Sequence, residues 1–262
     1  MSVAESASVP GGLQSVDRAL QVLELLAAWG AGGVTELAAE IGVHKSTAFR
    51  LLGALEARDL VEQTSERGKY RLGFGVIRLA RRVNVHLEIT DQARSITENL
   101  AHKVGESINV AVQRENFAVN VVQSRGQASI ASHNWTGQLT PLHATSSGKV
   151  LLAHLDPARQ AELIGPHLER FTANTHTDPG LLMDELAAVR KDGHATTYGE
   201  LEIGLNAVAV PVRGEDGTVV AALSASGPAY RLTPERIAAI LDRIEAAGAE
   251  LSRRLGFWGN AA

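Results

Sequence analysis

Four polar side chains near the start of one amphipathic stretch have the types and spacing that DNA recognition requires. Lys45, Ser46, Thr47 and Arg50 lie within VTELAAEIGVHKSTAFRLLGAL, residues 34–55. At about 100° per residue, the two hydroxyls and the guanidinium fall on one side of a helix and the leucines on the other. A guanidinium donates to guanine edges or phosphate oxygens, and hydroxyls contact either. The stretch therefore predicts a helix whose polar side enters the major groove.

A second spacing that could support chemistry is Ser146-x-x-Lys149, in which a lysine amine activates a serine nucleophile. It fixes only two residues and arises often by chance. The nine histidines could supply a base, but the chain has no H-x-x-x-H or comparable ligand pair and no cysteine. The sequence thus indicates neither a metal centre nor a thiol nucleophile. We expect no catalytic residue, no metal and no other cofactor. The alternative is an enzyme or ligand-binding protein whose helix-turn-helix serves protein contacts.

A tight helix-turn-helix is expected to position the DNA-contacting side chains. Thr35 can cap the first helix, whose apolar residues recur at helical spacing. Gly42 supplies the left-handed backbone position that ends this helix and allows a three-residue turn. The second helix is then expected from about His44 to Arg58. A helix over 15–29 precedes the pair, with a predicted buried stripe of Val16, Ala19, Leu20, Leu23, Leu26 and Ala27.

A short hairpin is predicted after Leu60, where two alternating runs flank a polar SERGK turn. A hairpin that follows a recognition helix is a wing. Arg67, Lys69 and Arg71 would then place positive charge against the phosphate backbone or the minor groove. Three helices with a basic wing are far more specific than a helix-turn-helix alone, and they predict a DNA-binding domain over residues 12–73.

The rest of the chain is predicted to contain both helices and strands. Residues 1–11 are expected to be a flexible tail, 74–90 a linker helix, and 91–259 an α+β domain with helices on both sides of its sheet. A further helix is expected over 90–104. The expected strands are 107–113, 117–125, 128–132, 206–213 and 218–227, and the expected helices 145–154, 157–164, 178–191 and 233–255.

Composition limits the class of protein. A chain of 262 residues that is 45% hydrophobic and 21% charged can bury one large or two medium cores, and it is not disordered. No apolar run approaches the length of a membrane span and the first residues lack signal-peptide features, so we expect a cytoplasmic protein without membrane contact. The net charge of −4 hides a slightly basic first third. This is expected if only that part meets phosphate.

The chain resembles the IclR family of bacterial transcriptional regulators over nearly all its length. The matching passages are SVDRALQVLELLAA, TELAAEIGVHKSTAFRLLGALEARDLV, YRLG, LHATSSGKVLLA, THTDPGLLMDEL and GLNAVAVPVRGEDGTVVAALSASGPAYRLT. The resemblance implies a winged helix-turn-helix, a linker helix and a GAF-like effector-binding domain. It also implies a homodimer, often paired into a homotetramer, on a palindromic or repeated double-stranded DNA operator. A repressor controlled by a small carboxylate effector is the expected function.

The resemblance also implies which residues form the effector pocket. Ser146 and Ser147 lie where a helix is expected to begin, so amide groups and the helix dipole could bind a carboxylate. Ser224 and Ser226 alternate along a strand and would face the same side. The candidates carried over by motif are Ser129, Thr140, Ser146, Ser147, Thr197, Leu205, Ala207, Ser224 and Ser226.

An aromatic wall is a further hypothesis for this pocket. His133, Trp135, His143 and Tyr198 lie in the segments that flank the pocket motifs. Together they would favour an aromatic acid as effector.

Binding of the effector is expected to shift the paired recognition helices through the linker.

Overall fold

The computed structural model describes residues 14–64, 68–80, 84–126 and 134–259. The chain divides into two compact units, Met1–Asn84 and Val85–Ala262. Among the described residues, no helix combines the length and the apolar character needed to cross a lipid bilayer.

The first unit is a small helical bundle with a three-stranded antiparallel sheet in the order β1-β3-β2. This is the predicted winged helix-turn-helix architecture. Its elements are α1 (Gln14–Trp29), β1 (Gly32–Gly33), α2 (Val34–Glu40), α3 (Lys45–Glu56), β2 (Val61–Gln63), β3 (Lys69–Leu72) and α4 (Phe74–Ala80).

The core of this unit forms where α1 packs on α2 and α3. Val22 and Leu26 of α1 are buried together with Leu37 and Leu52. The predicted stripe of α1 was wrong at Val16, Leu20 and Ala27, which are exposed. At 100° per residue these three fall together on a second apolar side of the helix, about 120–160° away from Val22. That side has no buried partner among the described residues.

The ends of the two central helices differ in part from the predictions. Gly33, and not Thr35, caps α2, because its amide donates to Glu36 Oε2 over 2.8 Å. Gly42 has φ +65°, which confirms the left-handed turn after α2. His44 is the N-cap of α3. The second helix of the pair is therefore confirmed, and it ends two residues before the expected Arg58.

The predicted wing is also confirmed as an antiparallel hairpin. Val61 of β2 pairs with Leu72 of β3, and the pairing continues to Gln63 and Tyr70. Residues 65–67 at its tip lie outside the described residues. The third strand, β1, pairs with β3 through Gly32 and Gly33. It was not predicted because two glycines carry no periodicity.

The linker region differs from the prediction in where its helix stops. Helix α4 ends at Ala80, and α5 (Asn84–Val104) begins before the expected break between residues 86 and 90. The stretch 84–104 contains neither glycine nor proline, so nothing in it interrupts a helix. One long helix thus replaces the end of the predicted linker and the helix expected after it.

The second unit is a six-stranded antiparallel sheet in the order β6-β5-β4-β9-β8-β7. The short strands β6 and β7 were not predicted because three or four residues show too little alternation. The strands are β4 (Ser107–Arg114), β5 (Phe117–Ser124), β6 (Leu139–Pro141), β7 (Ala195–Tyr198), β8 (Leu205–Arg213) and β9 (Val219–Pro228). The helices after α5 are α6 (Ser146–Ala153), α7 (Pro157–Ile164), α8 (Pro179–Asp192) and α9 (Pro234–Arg254).

Helices cover both faces of this sheet, as the sequence predicted. Successive strand residues point to opposite faces, so Val110 and Leu223 pack in one core with α5 and α9. Ala111 and Ala222 pack in the other core with α6 and α8. The domain is therefore a three-layer α+β structure.

Four helices of the second unit begin with a capping side chain. The N-cap residues Thr145, Asp156, Asp178 and Thr233 each accept a hydrogen bond from a backbone amide three residues on. In α7, α8 and α9 the cap is followed at once by proline, which is favoured at the first helical position because no amide is required there.

A stability prediction follows from how closely α9 approaches β8. A Cβ atom added at Gly248 would lie 2.7 Å from Val210 Cγ2, which is closer than atoms pack in a core. We expect G248A to lower the free energy of unfolding by about 1–3 kcal/mol, measured by urea denaturation.

The matched control is Gly53 in α3, where an added Cβ meets nothing within 4 Å. We expect G53A to raise stability by up to about 1 kcal/mol, because alanine restricts the unfolded chain more than glycine does. A G248A protein as stable as G53A would contradict the close packing of α9.

Candidate functional site

The first candidate site is the exposed side of α3. Lys45, Ser46 and Arg50 are exposed and Thr47 is half-buried, whereas Ala48 on the other side is fully buried. Lys45, Ser46 and Arg50 are therefore accessible to a ligand, and Thr47 is accessible in part. Neither Lys45 nor Arg50 forms an ion pair with any described residue, so both charges are available to a ligand.

The wing carries its predicted cations in different environments. Lys69 and Arg71 lie on β3 with exposed side chains. Arg71 Nε donates to Glu62 Oε1 of β2 over 2.6 Å, so part of its charge is already neutralised. Arg67 lies outside the described residues.

Phe49 is an additional candidate that sequence reasoning passed over. It lies next to Arg50 on α3 and is 61% exposed. Apolar side chains in the major groove contact the thymine methyl group. The sequence could have indicated Phe49 as a candidate DNA contact, because it is an aromatic residue on the polar side of the predicted recognition helix.

The second candidate site is a cavity on the side of the large sheet that faces α6. Ala209 and Ala222 on this side of the sheet pack with α6 and α8. Ser224, the cross-strand partner of Ala209, lies on the same side with Thr197 and Ser226. Together with the start of α6 at Ser146, these three residues line a cavity of about 60 Å³. It exceeds the room that one water molecule needs, on the order of 10–15 Å³, and suits a small organic molecule.

The structure brings eight of the nine predicted effector residues together in this cavity, and the ninth, Ser129, lies outside the described residues. The eight are Thr140, Ser146, Ser147, Thr197, Leu205, Ala207, Ser224 and Ser226. They come from two edge strands, two central strands and one helix start.

Further lining residues were not anticipated from the sequence. Asn109 and Asn120 carried a signal that was missed, since each asparagine interrupts an otherwise apolar run, in β4 and in β5. Leu201 in the loop before β8 had no such signal. The complete set of these additional residues is Asn109, Asn120, Ala144, Thr145 and Leu201.

The start of α6 is built to leave two amides unpaired. Thr145 Oγ1 accepts from the amide of Gly148 over 3.1 Å and donates to the carbonyl of Pro141 over 2.9 Å. A Cβ at Gly148 would lie 2.4 Å from a backbone oxygen of the preceding turn, so only glycine permits this fold. The amides of Ser146 and Ser147 have no acceptor in the part of the chain that the structure describes.

The cavity is polar but uncharged. Its lining contains no aspartate, glutamate, lysine, arginine or histidine among the described residues. Asn109 Nδ2 donates to Ser226 Oγ over 3.1 Å, whereas Asn109 Oδ1 has no partner. A buried unpaired acceptor costs about 1–3 kcal/mol. The electrostatic field in the cavity therefore comes mainly from backbone and amide dipoles.

Lys149 is buried directly behind the start of α6. Its Nζ donates to Glu200 over 2.7 Å and to Glu185 over 2.6 Å. Burial raises the pKa of Glu200, and the Lys149 ammonium opposes that rise. The Ser146–Lys149 spacing therefore reflects a structural ion pair, since the amine is held by two carboxylates.

One group of possible metal ligands exists beside Lys149. Donor atoms of His176, Glu185 and Glu200 all lie within 4.8 Å of one another. No sequence spacing indicated this group, because its members come from separate segments. Lys149 Nζ donates to both carboxylates, so a positive charge already occupies the space that a metal would take.

The hypothesis of an aromatic wall applies to one residue. Trp135 lines the cavity. His143 instead bonds the carbonyl of Glu169 over 2.8 Å and packs against Phe171. Tyr198 follows Thr197 on β7 and so points to the opposite side of the strand. His133 lies outside the described residues.

Comparison with known proteins identifies the family to which both units belong. Residues 15–65 match the model of the IclR helix-turn-helix domain, and residues 82–253 match that of the bacterial transcriptional regulator IclR C-terminal domain. The chain belongs to the IclR family. The predicted family and two-domain fold are thereby confirmed, and the protein is a DNA-binding transcriptional regulator of this family.

Two curated relatives illustrate the match. The transcriptional regulator XynR of Escherichia coli K12 is 32% identical over 247 residues, which cover 94% of this chain and 98% of XynR. The transcriptional repressor AllR of Salmonella typhimurium is 32% identical over 250 residues, covering 94% of this chain and 91% of AllR.

Solved structures agree as well. The IclR protein of Thermotoga maritima has a TM-score of 0.78 at 28% identity, covering 94% of this chain and all of that one. An IclR homolog from Microbacterium hydrocarbonoxydans, complexed with 4-hydroxybenzoate, has a TM-score of 0.77 at 27% identity, covering 92% of this chain and 98% of that one.

A prediction about Lys149 follows from its buried ion pairs. In K149M, Glu185 and Glu200 face each other without a cation, and we expect a loss of about 3–5 kcal/mol in unfolding free energy at neutral pH. The raised folded-state pKa of Glu200 rises further without the ammonium. A carboxyl whose pKa is higher in the folded than in the unfolded state lowers the free energy of unfolding when it is ionised. This loss disappears as the pH falls through the folded-state pKa and the carboxyl becomes protonated.

K149M should therefore regain stability, relative to wild type, between neutral pH and about pH 5. Urea denaturation at both pH values measures this. The control is K191M, which removes an exposed lysine of α8 and should follow wild type at both. Equal losses for K149M at the two pH values would contradict the assigned role of Glu200.

Proposed function

We propose that the protein is a cytoplasmic repressor that binds a double-stranded DNA operator. Its affinity for the operator would change when a small organic acid binds in the cavity at the start of α6. One observation carries the effector part of this proposal. Ser146 and Ser147 line an uncharged cavity at the positive end of a helix dipole, and their amides have no acceptor among the described residues. Such a site binds a carboxylate without lysine or arginine.

The chemistry of the cavity favours an acid with an aromatic ring. Trp135, Leu201 and Leu205 supply apolar contact, while the hydroxyls and amides around them supply hydrogen bonds. The 4-hydroxybenzoate held by the homolog from Microbacterium hydrocarbonoxydans is an acid of this type. It supports the same class of effector for this chain.

The DNA part of the proposal rests on α3 and the wing. Ser46, Thr47 and Arg50 would contact base edges, and Lys45 would contact phosphate. Lys45, Ser46 and Arg50 are exposed on α3, and Thr47 is half-buried. The wing residues proposed to contact the phosphate backbone or the minor groove are Arg67, Lys69 and Arg71.

Self-association completes the proposal. Val16 and Leu20 on α1 are more than half exposed, as are Phe74, Ile77 and Leu79 on α4. Exposed apolar surface of this kind favours pairing between copies of the chain. A homodimer, itself paired into a tetramer, would place recognition helices on palindromic or repeated half-sites. An effector that alters their separation changes operator affinity.

The DNA prediction concerns the two unpaired cations of α3. Footprinting next to the protein's own gene would first locate the operator. We expect the double variant K45A/R50A to lose about a hundredfold in operator affinity, and its log Kd should depend less steeply on log salt by about one to two units. Fluorescence anisotropy at several salt concentrations measures both quantities.

The matched control is R114A/K191A, which removes two exposed cations from the second unit and should bind DNA as wild type does. K45A/R50A should keep its thermal transition and its effector affinity. Wild-type operator affinity in K45A/R50A would overturn the assignment of α3 as the recognition helix.

The effector prediction uses proline to remove a single amide. Thr145 has φ −128° and ψ 145°, the conformation that a residue before proline adopts, and three other helices of this chain have proline at the corresponding position. S146P therefore keeps the helix start but lacks one donor. We expect calorimetric affinity for 4-hydroxybenzoate, or for the best acid of a panel, to fall at least about tenfold.

S146A is the comparison variant, because it loses the hydroxyl and keeps the amide. Its loss should be clearly smaller than that of S146P. Circular dichroism checks that both variants fold. Equal affinities for S146P and wild type would mean that the carboxylate does not bind at the start of α6.

A further inference from the structure

Asn109 forms part of the cavity wall with one of its two polar atoms unpaired. It is 4% exposed on the central strand β4, and its Nδ2 donates to Ser226 Oγ. Among the described residues, its Oδ1 is the one buried side-chain nitrogen or oxygen without a hydrogen-bond partner. A buried carbonyl oxygen left in this state costs stability. A partner from outside the chain would remove this cost.

Asn109 lines the cavity, beside the start of α6. On its two sides along the sheet are Ser224 of β9 and Gln123 of β5, and neither of them hydrogen-bonds to Oδ1. Its strand neighbours Ile108 and Val110 point to the opposite face and are fully buried in the apolar core. A molecule bound in the cavity can therefore supply the hydrogen bond that the chain does not.

The chemistry of Oδ1 restricts what that molecule can be. An amide oxygen accepts hydrogen bonds and cannot donate them, unlike the serine and threonine hydroxyls around it. The partner must thus carry an O–H or N–H donor. An ammonium group is disfavoured, because the described lining holds no carboxylate to balance a buried positive charge. A neutral hydroxyl satisfies both conditions.

We propose that the effector is a hydroxy acid, whose hydroxyl donates to Asn109 Oδ1 while its carboxylate binds the amides of Ser146 and Ser147. This rests on the proposed effector site, and it adds the residue that selects among acids. Both ends of the ligand are served by one cavity. Asn109 is then a specificity residue, and its unpaired oxygen is satisfied only in the complex.

The first experiment compares acids that differ only at the donor, using the full-length wild-type protein. Calorimetry would measure 4-hydroxybenzoate and 3-hydroxybenzoate against benzoate and the matching methoxybenzoates, and lactate against propionate. In at least one series the hydroxy acid should bind at least about tenfold more tightly than its partners. The methoxy compounds keep an acceptor oxygen but cannot donate, so they report directly on the direction of the hydrogen bond.

The second experiment changes the acceptor. N109L has a side chain of similar size without polar atoms. It should bind the hydroxy and deoxy acids equally, with the deoxy affinity kept within a few-fold of wild type. Its urea midpoint without ligand should equal or exceed that of wild type, because no buried oxygen is left unpaired. The control N99L makes the same change on an exposed position of α5 and should keep the full preference for the hydroxyl.

The outcomes separate this inference from the proposed function. If no acid binds the wild-type protein, the proposed function itself is wrong. If acids bind but hydroxy, methoxy and deoxy members bind equally, only the role of Asn109 is overturned. A hydroxyl preference that persists in N109L also overturns it, and the wild-type series decides the matter should N109L fail to fold.

Discussion

Both proposed roles of the second unit depend on how far α6 reaches across one face of the sheet. This face carries small residues on β8 and β9, among them Ala209, its cross-strand partner Ser224, Ala222 and Ser226. Small side chains allow a helix to approach closely. Ala209 and Ala222 pack with α6 and α8, whereas Ser224 and Ser226 line the cavity together with Thr145, the residue that caps α6. The cavity therefore lies where α6 begins, beside the amides of Ser146 and Ser147.

This arrangement separates charge from ligand recognition. The buried Lys149 is satisfied by Glu185 and Glu200 on the far side of α6, and the described lining of the cavity is uncharged. A carboxylate that enters thus meets dipoles that folding has already fixed, so binding requires little reorganisation of the protein. Selectivity among different acids is then determined by neutral hydrogen bonds. Those bonds depend strongly on geometry, since an unmatched donor or acceptor in a buried site costs more than a matched one contributes.

The sequence predicted most of this fold where periodicity and capping chemistry were strong. The starts of α7, α8 and α9 were predicted to within one residue, and in the structure each of these helices has proline after an Asp or Thr cap. The strand-like apolar runs predicted β8 and β9. The prediction failed where those signals vanish, at the glycine strand β1, at the short edge strands β6 and β7, and at the join of the linker with α5. For the cavity, motif resemblance supplied the residues of α6, β8 and β9. Asn109 and Leu201 could not be placed, because which side chains meet across a sheet depends on register and on strand order.

Cations in both units are in part already paired within the chain, and this bears on which of them can meet DNA. Arg71 of the wing is paired with Glu62, and Arg231 of the second unit is paired with the buried Glu106. Lys45 and Arg50 on α3 have no such partner among the described residues. A paired cation must give up its partner before it can bind phosphate, whereas an unpaired one releases only counterions. The proposed role of α3 in operator binding thus depends on unpaired local charges, and a net charge of −4 for the whole chain is compatible with it.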